Sequence, residues 1–267
     1  MIQGNTTGKS PLQTPGLNLQ RLIDANARLW AAEAEIVRSY WDSPLRTPAT
    51  DVLWLRRQMY KEFWDGFYPP FDSMISRMDL LERKVSRNDF LDAAEIMYEE
   101  FVHYCLFAEV HDRLNQDGVV DPQQLRETGN WQENVALMEL RAEHKKRYPA
   151  LGPRAHYFTE GGYCTLYSEG MKLEGRGGTD DLIARACARV FDDEFDHMLK
   201  GIANMDDDLG EDECRLLEAL TAEQMRYRIH MRNAQFSFPV EAARVEELCN
   251  GVLEPMEFDY RRAGFTF

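Results

Sequence analysis

Apolar residues recur at three- and four-residue spacing along most of the chain, and strict alternation nowhere lasts the length of a strand. This pattern predicts helices over residues 18–42, 51–67, 69–84, 88–115, 130–147, 153–174, 180–203, 211–234 and 239–251. Punctuation supports the boundaries: Pro44 and Pro48 end the first segment, Tyr148-Pro149 ends the fifth, and Gly175-Arg176-Gly177-Gly178 precedes Thr179 or Asp180 as N-cap. Tyr68-Pro69-Pro70 interrupts the second segment, because Pro69 has no N–H and the residue before a proline avoids the helical region. A new or sharply kinked helix is expected from Pro69 to about Lys84, and the acidic stretch at 206–213 is expected to be a solvated loop. With no long linker or repeat, the expectation is all-α: a disordered tail over 1–16 and a single helical-bundle domain over 17–267, of about seven or eight helices.

Composition narrows the partners. The 267 residues carry 31 Lys plus Arg against 46 Asp plus Glu, a net charge of −15, which repels phosphate backbones and anionic headgroups. Nucleic acid and membrane are therefore disfavoured as partners, and no apolar run approaches the roughly 18 residues of a membrane span. Five scattered cysteines without a CxxC pair, and a polar N-terminus without the apolar core of a secretory signal, point to reduced core thiols in a cytoplasmic protein.

Two of the six histidines follow a glutamate by three residues, in Glu100-Phe-Val-His103 and Glu194-Phe-Asp-His197, so each pair shares a helix face. At about 100° per residue, Glu100 and His103 fall on a stripe with Ala93, Ile96, Tyr104, Phe107 and Leu114, while Glu95 and Glu99 fall opposite. Glu194 and His197 align with Ile183, Cys187, Val190 and Met198. In 153–174, Glu160 shares the face of His156, Tyr163 and Tyr167, whereas Glu169 turns to the surface. Glu160 and Glu194 are equally distant from the glycine turn near 177, hence level in an antiparallel hairpin. The same rule about a turn near Ser86 pairs Glu100 with Asp72, which is favoured over Glu62.

Asp72, Glu100, His103, Glu160, Glu194 and His197 thus converge as candidate metal ligands, with Glu100, His103, Glu160, Glu194 and His197 also as candidate catalytic residues. Several unpaired carboxylates in an apolar core would each cost kcal/mol of desolvation, and two divalent cations neutralise four of them. Carboxylate with imidazole suits iron or manganese, and a Glu plus an ExxH from paired helices is how bundles build dinuclear sites.

This pattern resembles the ferritin-like di-iron carboxylate proteins. Phe67-Tyr-Pro-Pro-Phe-Asp72, Glu100-Phe-Val-His-Tyr-Cys-Leu-Phe107 and Tyr157-Phe-Thr-Glu-Gly161 are in turn similar to segments of the haem-oxygenase-like di-iron oxidases, over about residues 51–200. Many members of the latter carry a further histidine where this chain has Val190, so the scaffold stays open between the two. Either resemblance implies two iron ions, or a manganese and an iron, at those six residues, with dioxygen as co-substrate. It also implies oxidation of a small organic molecule by hydroxylation, N-oxygenation, desaturation or oxidative C–C cleavage. No flavin or nicotinamide fingerprint is present, so electrons are expected from an external donor, and the protein is expected as a monomer or homodimer. Tyr104, Phe107, Tyr163 and Tyr167 are placed to line a pocket. An iron-oxidising, iron-storing protein and a non-catalytic helical interaction module are the alternatives. Of the remaining residues, His156 is a possible further ligand or outer donor and Asp193 a possible acceptor for a ligating histidine. His111 reads as a core histidine, His144 and His230 as surface residues, and Glu33 as an unexplained inward acid.

Overall fold

The computed structural model describes residues 14–78, 87–115, 118–160 and 163–266, and these hold helices and no strand. The long elements are α1 (Leu17–Trp41), α2 (Pro48–Tyr60), a π-helical segment (Lys61–Phe67), α3 (Tyr68–Met78) and α4 (Arg87–Leu114). After a short α5 (Pro122–Thr128) follow α6 (Gln132–Arg147), α7 (Leu151–Glu160), α8 (Thr165–Met171) and α9 (Gly178–Ile202). A single turn, α10 (Met205–Asp208), leads into α11 (Glu211–Gln235) and α12 (Ala242–Cys249). None of the helices in the described residues is long and apolar enough to cross a membrane.

The apolar stripes decide the packing. The buried face of α1, with Leu22, Trp30, Val37 and Tyr40, lies along α11; α2 and the π segment lie along α4; α7 and α8 lie along α9, which also touches α4. The resulting core joins Trp30, Trp54, Phe107, Phe158 and Phe195 in one cluster, each such side chain contributing about 1.5–3 kcal/mol on burial. Gly201 permits the close approach of α9 to α7, since a Cβ there would stand 2.6 Å from the Arg154 carbonyl oxygen.

Several expectations need correction. The helix does not break at Tyr68-Pro69-Pro70: α2, the π segment and α3 run on without a gap, and the Tyr68 N–H reaches the Phe63 carbonyl five residues back. Prolines 69 and 70 have no N–H to offer the preceding turn, and the wide turn immediately upstream absorbs that misfit. The expected 153–174 helix is two helices, because Tyr163 and Cys164 adopt positive φ of 58° and 54° and re-aim the chain into α8. This change of phase buries Glu169, 2% exposed, against Arg38 and Lys172. His144 is likewise buried, between Gln224 and Glu223, rather than at the surface. Part of the stretch read as an acidic loop forms α10, and α5 was not expected, although Asp121-Pro122 with Gln124 forms a capping box at its start. Residues 1–13 of the expected tail, residues 79–84 of the expected helix and the turn at Ser86 lie outside the described residues.

Candidate metal centre

Three elements aim polar side chains at one point in the core. Glu62 comes from the π segment, where it is the buried residue; Glu100 and His103 come from α4, and Glu194 and His197 from α9. All five are at most 3% exposed. His103 Nδ1 is 3.8 Å from Glu62 Oε2, from Glu100 Oε2 and from Glu194 Oε1, and one ligand atom from each of these four residues lies within 4.8 Å of the others. His197 Nδ1 approaches the remaining oxygens, 3.7 Å from Glu100 Oε1 and 4.0 Å from Glu194 Oε2. Glu100 and Glu194 therefore each turn one oxygen toward one imidazole and the second oxygen toward the other.

Both imidazoles are fixed from behind. His103 Nε2 bonds Asp193 at 3.1 Å and His197 Nε2 bonds Glu99 at 3.0 Å. Each of these acids directly precedes the motif glutamate on the opposite helix, so α4 and α9 exchange the same support. A carboxylate on the outer nitrogen fixes the tautomer that leaves Nδ1 as the inward ligand atom. Glu62 Oε1 accepts from Gln58 Nε2 at 2.5 Å and from the Tyr167 hydroxyl at 3.1 Å, which also lies 3.4 Å from Glu194 Oε1. Room for Glu100 depends on Gly66, one turn beyond Glu62, where a Cβ would come within 2.2 Å of Glu100 Oε2.

Metal-free, this arrangement is electrostatically strained. Burial, reinforced by the charges of Glu194 and Glu62, pushes Glu100 up to about 8. Burial likewise raises Glu194. Burial acts to lower His103, but its bonds to Asp193 and Glu100 hold it well above the ordinary range; for His197 the charges of Glu194, Glu100 and Glu160 likewise outweigh burial. His103 Nδ1 and Glu194 Oε2 are buried without a hydrogen-bond partner. Among the described residues, Glu62, Glu100 and Glu194 form ion pairs with histidines and with no Lys or Arg. Such a donor set could hold a metal ion, and mixed carboxylate and imidazole donors suit iron, manganese or zinc.

The expected six residues are thus partly assembled. Glu100, His103, Glu194 and His197 converge. Glu160 reaches the edge: its side chain, 21% exposed, bonds His156 Nε2 at 3.2 Å. Burial opposes its ionisation, yet His156, His197 and Arg141 hold it below the carboxylate range, while burial pushes His156 down to about 4. Asp72 is exposed and stands outside the cluster; Glu62 occupies the place assigned to it. Gly66, rather than Asp72, is the residue that lies against Glu100. Glu99, assigned to the solvent side, faces α9 instead, and its signal is its place before a motif glutamate, matching Asp193. Of the four aromatics expected at a pocket, Tyr167 lines the cavity over the cluster, whereas Phe107 is core, Tyr163 stacks on Trp30 and Tyr104 packs on Phe63. His111 is a core histidine held by Asp112 and Arg56.

The fold and site together define an all-helical protein with a buried Glu/His cluster able to hold a metal. No family model matches the chain, and no curated protein or solved structure matches it either.

Proposed function

We propose that the chain is a non-haem di-iron oxidase or oxygenase that uses dioxygen to oxidise a small organic molecule. The carrying observation is the division of the Glu100 and Glu194 oxygens between two oppositely placed imidazoles, a donor set that would hold two metal ions rather than one. Glu62, Glu100 and His103 would hold one ion, and Glu160, Glu194 and His197 the other. A bound pair of ferrous ions supplies the electrons and open positions that dioxygen reduction needs.

The chain's own residues prepare the reaction. Asp193 and Glu99 keep both histidines oriented; Tyr167 and Gln58 fix Glu62; the fully buried Phe107 and Trp54 back Tyr167 with apolar surface, Phe107 stacking on its ring and Trp54 meeting Phe107 edge-on. An open cavity of about 500 Å³ reaches Glu100 and Glu160 from the surface, within the range of small-molecule sites. Electrons for repeated turnover would come from an external donor. The test is a single-turnover reaction: protein loaded anaerobically with Fe(II) is mixed with oxygenated buffer in a stopped-flow spectrophotometer. The expected result is O₂ consumption with a transient visible band that E100Q and E194Q lack; oxidation no faster than that of free Fe(II) in the same buffer contradicts the reading.

A further inference from the structure

Arg141 has no part in the centre as described, yet it is buried beside it. The side chain, 3% exposed, leaves α6 toward α7, and its Nη2 donates to the Thr159 carbonyl at 3.1 Å and to Thr159 Oγ1 at 3.4 Å. Its Nε is buried without a partner. With Lys61, Arg141 lines a narrow inner cavity over Glu62, Glu100 and Glu194. That cavity shares Gly66, Glu100, His156 and Glu160 with the open one leading to the surface. Burial lowers both cations, Arg141 to about 10.

Neither cation is ion-paired: among the described residues no carboxylate oxygen lies within 4.0 Å of the Arg141 guanidinium or the Lys61 ammonium. Glu160, the first of the acids whose charge acts on Arg141, would be engaged by a metal ion, and a buried guanidinium with an unpartnered Nε and no contact ion pair calls for an anion. The inner cavity offers about 20 Å³, room for little more than one water-sized group. So little room favours the smallest organic anion head, a planar carboxylate reaching in from the outer cavity, over a bulkier tetrahedral phosphate. The outer cavity is apolar along Pro69, Pro70, Met74, Phe90 and Ile96, which suits a hydrocarbon body.

We propose that the site takes an organic carboxylate, its head group held by the Arg141 guanidinium beside the metal centre and its apolar body lying along α3 and α4. This rests on the reading above for what happens to the substrate, but not for its binding. The test is calorimetric titration of hexanoate and of hexan-1-ol into the full-length chain, metal-free and loaded with Mn(II), with bound Mn(II) counted separately. Hexanoate is expected to bind the loaded chain at least tenfold more tightly than hexan-1-ol. R141Q is expected to erase that preference and R141K to keep part of it, both with wild-type Mn(II) content. Equal binding of acid and alcohol overturns the proposal, and this comparison stands on the wild-type chain even if R141Q fails to fold. A preference that survives in R141Q and vanishes without Mn(II) also overturns it, since the carboxylate then sits on the metal. A chain that takes up no Mn(II) but prefers hexanoate through Arg141 upholds the carboxylate site and contradicts the metal centre instead.

Discussion

Glu33 and Glu100 are both buried carboxylates on long helices, 0% and 3% exposed, and their surroundings are opposite. Glu33 Oε1 accepts from Arg228 Nε at 3.0 Å and from Arg232 Nε at 2.9 Å. Burial opposes its ionisation, but the two guanidiniums outweigh it and hold Glu33 below the carboxylate range. Glu100 has two carboxylates and two imidazoles for company, and it is pushed up. Gln58 joins the clusters, since its Oε1 accepts from Arg232 Nη1 at 3.4 Å while its Nε2 donates to Glu62. Inward acids alone therefore do not mark a metal site. The mark is an inward acid whose neighbours fail to neutralise it.

The two clusters should respond oppositely to loss of charge. E33Q leaves two buried guanidiniums against a neutral amide and should cost about 3–5 kcal/mol in chemical denaturation, as breaking a buried ion pair does. E100Q in the metal-free chain should cost less than about 1 kcal/mol or stabilise, because it removes repulsion. An E33Q protein as stable as wild type would break the comparison.

Metal should reverse the ranking. Fe(II) or Mn(II) at about a thousand times its dissociation constant should stabilise the wild-type chain by about 4 kcal/mol, a chelator should remove that gain, and E100Q should show none of it. E62A should lose the gain as E100Q does, whereas D72A should keep it and change stability by less than about 0.5 kcal/mol. Thermal melts with and without metal separate these cases.

The pH dependence has a definite sign. In the metal-free chain Glu100, at about 8, and Glu194, His103 and His197 all lie above their ordinary values, so each holds its proton more firmly folded than unfolded. Their contribution is complete at low pH and is lost as pH rises, from above the ordinary 4.5 for the carboxylates and 6.5 for the histidines. Urea midpoints of the metal-free chain should fall between about pH 6.5 and 8, above the range in which the lowered His156 adds stability with rising pH, while those of the loaded chain should not, because the metal displaces these protons. The outer acids weaken the centre without removing it: E99Q and D193N should each weaken metal binding about 10–100-fold while leaving the stoichiometry intact.

Much of this was legible in the residues. Helical periodicity gave the long elements α1, α4, α9 and α11 nearly to the residue, and the two ExxH pairs with Glu194 on a clean stripe gave most of the cluster. What escaped depended on backbone details that periodicity does not carry. A π turn before two prolines kept one helix running and brought Glu62, not Asp72, level with Glu100. Two positive-φ residues after Gly161-Gly162 divided α7 from α8 and reversed the face of Glu169. Glu99 was sent to solvent by a wheel that knows one helix at a time, whereas its partner is on another. Glu33 became intelligible once α11 brought Arg228 and Arg232 to it, a contact across 195 residues.

The most direct measurement is an anaerobic titration of the metal-free chain with Fe(II), with bound iron counted at equilibrium. Two equivalents per chain, reduced in E62A and in E100Q and retained in D72A, are the expected result. One equivalent, or none, would contradict the proposed two-metal centre.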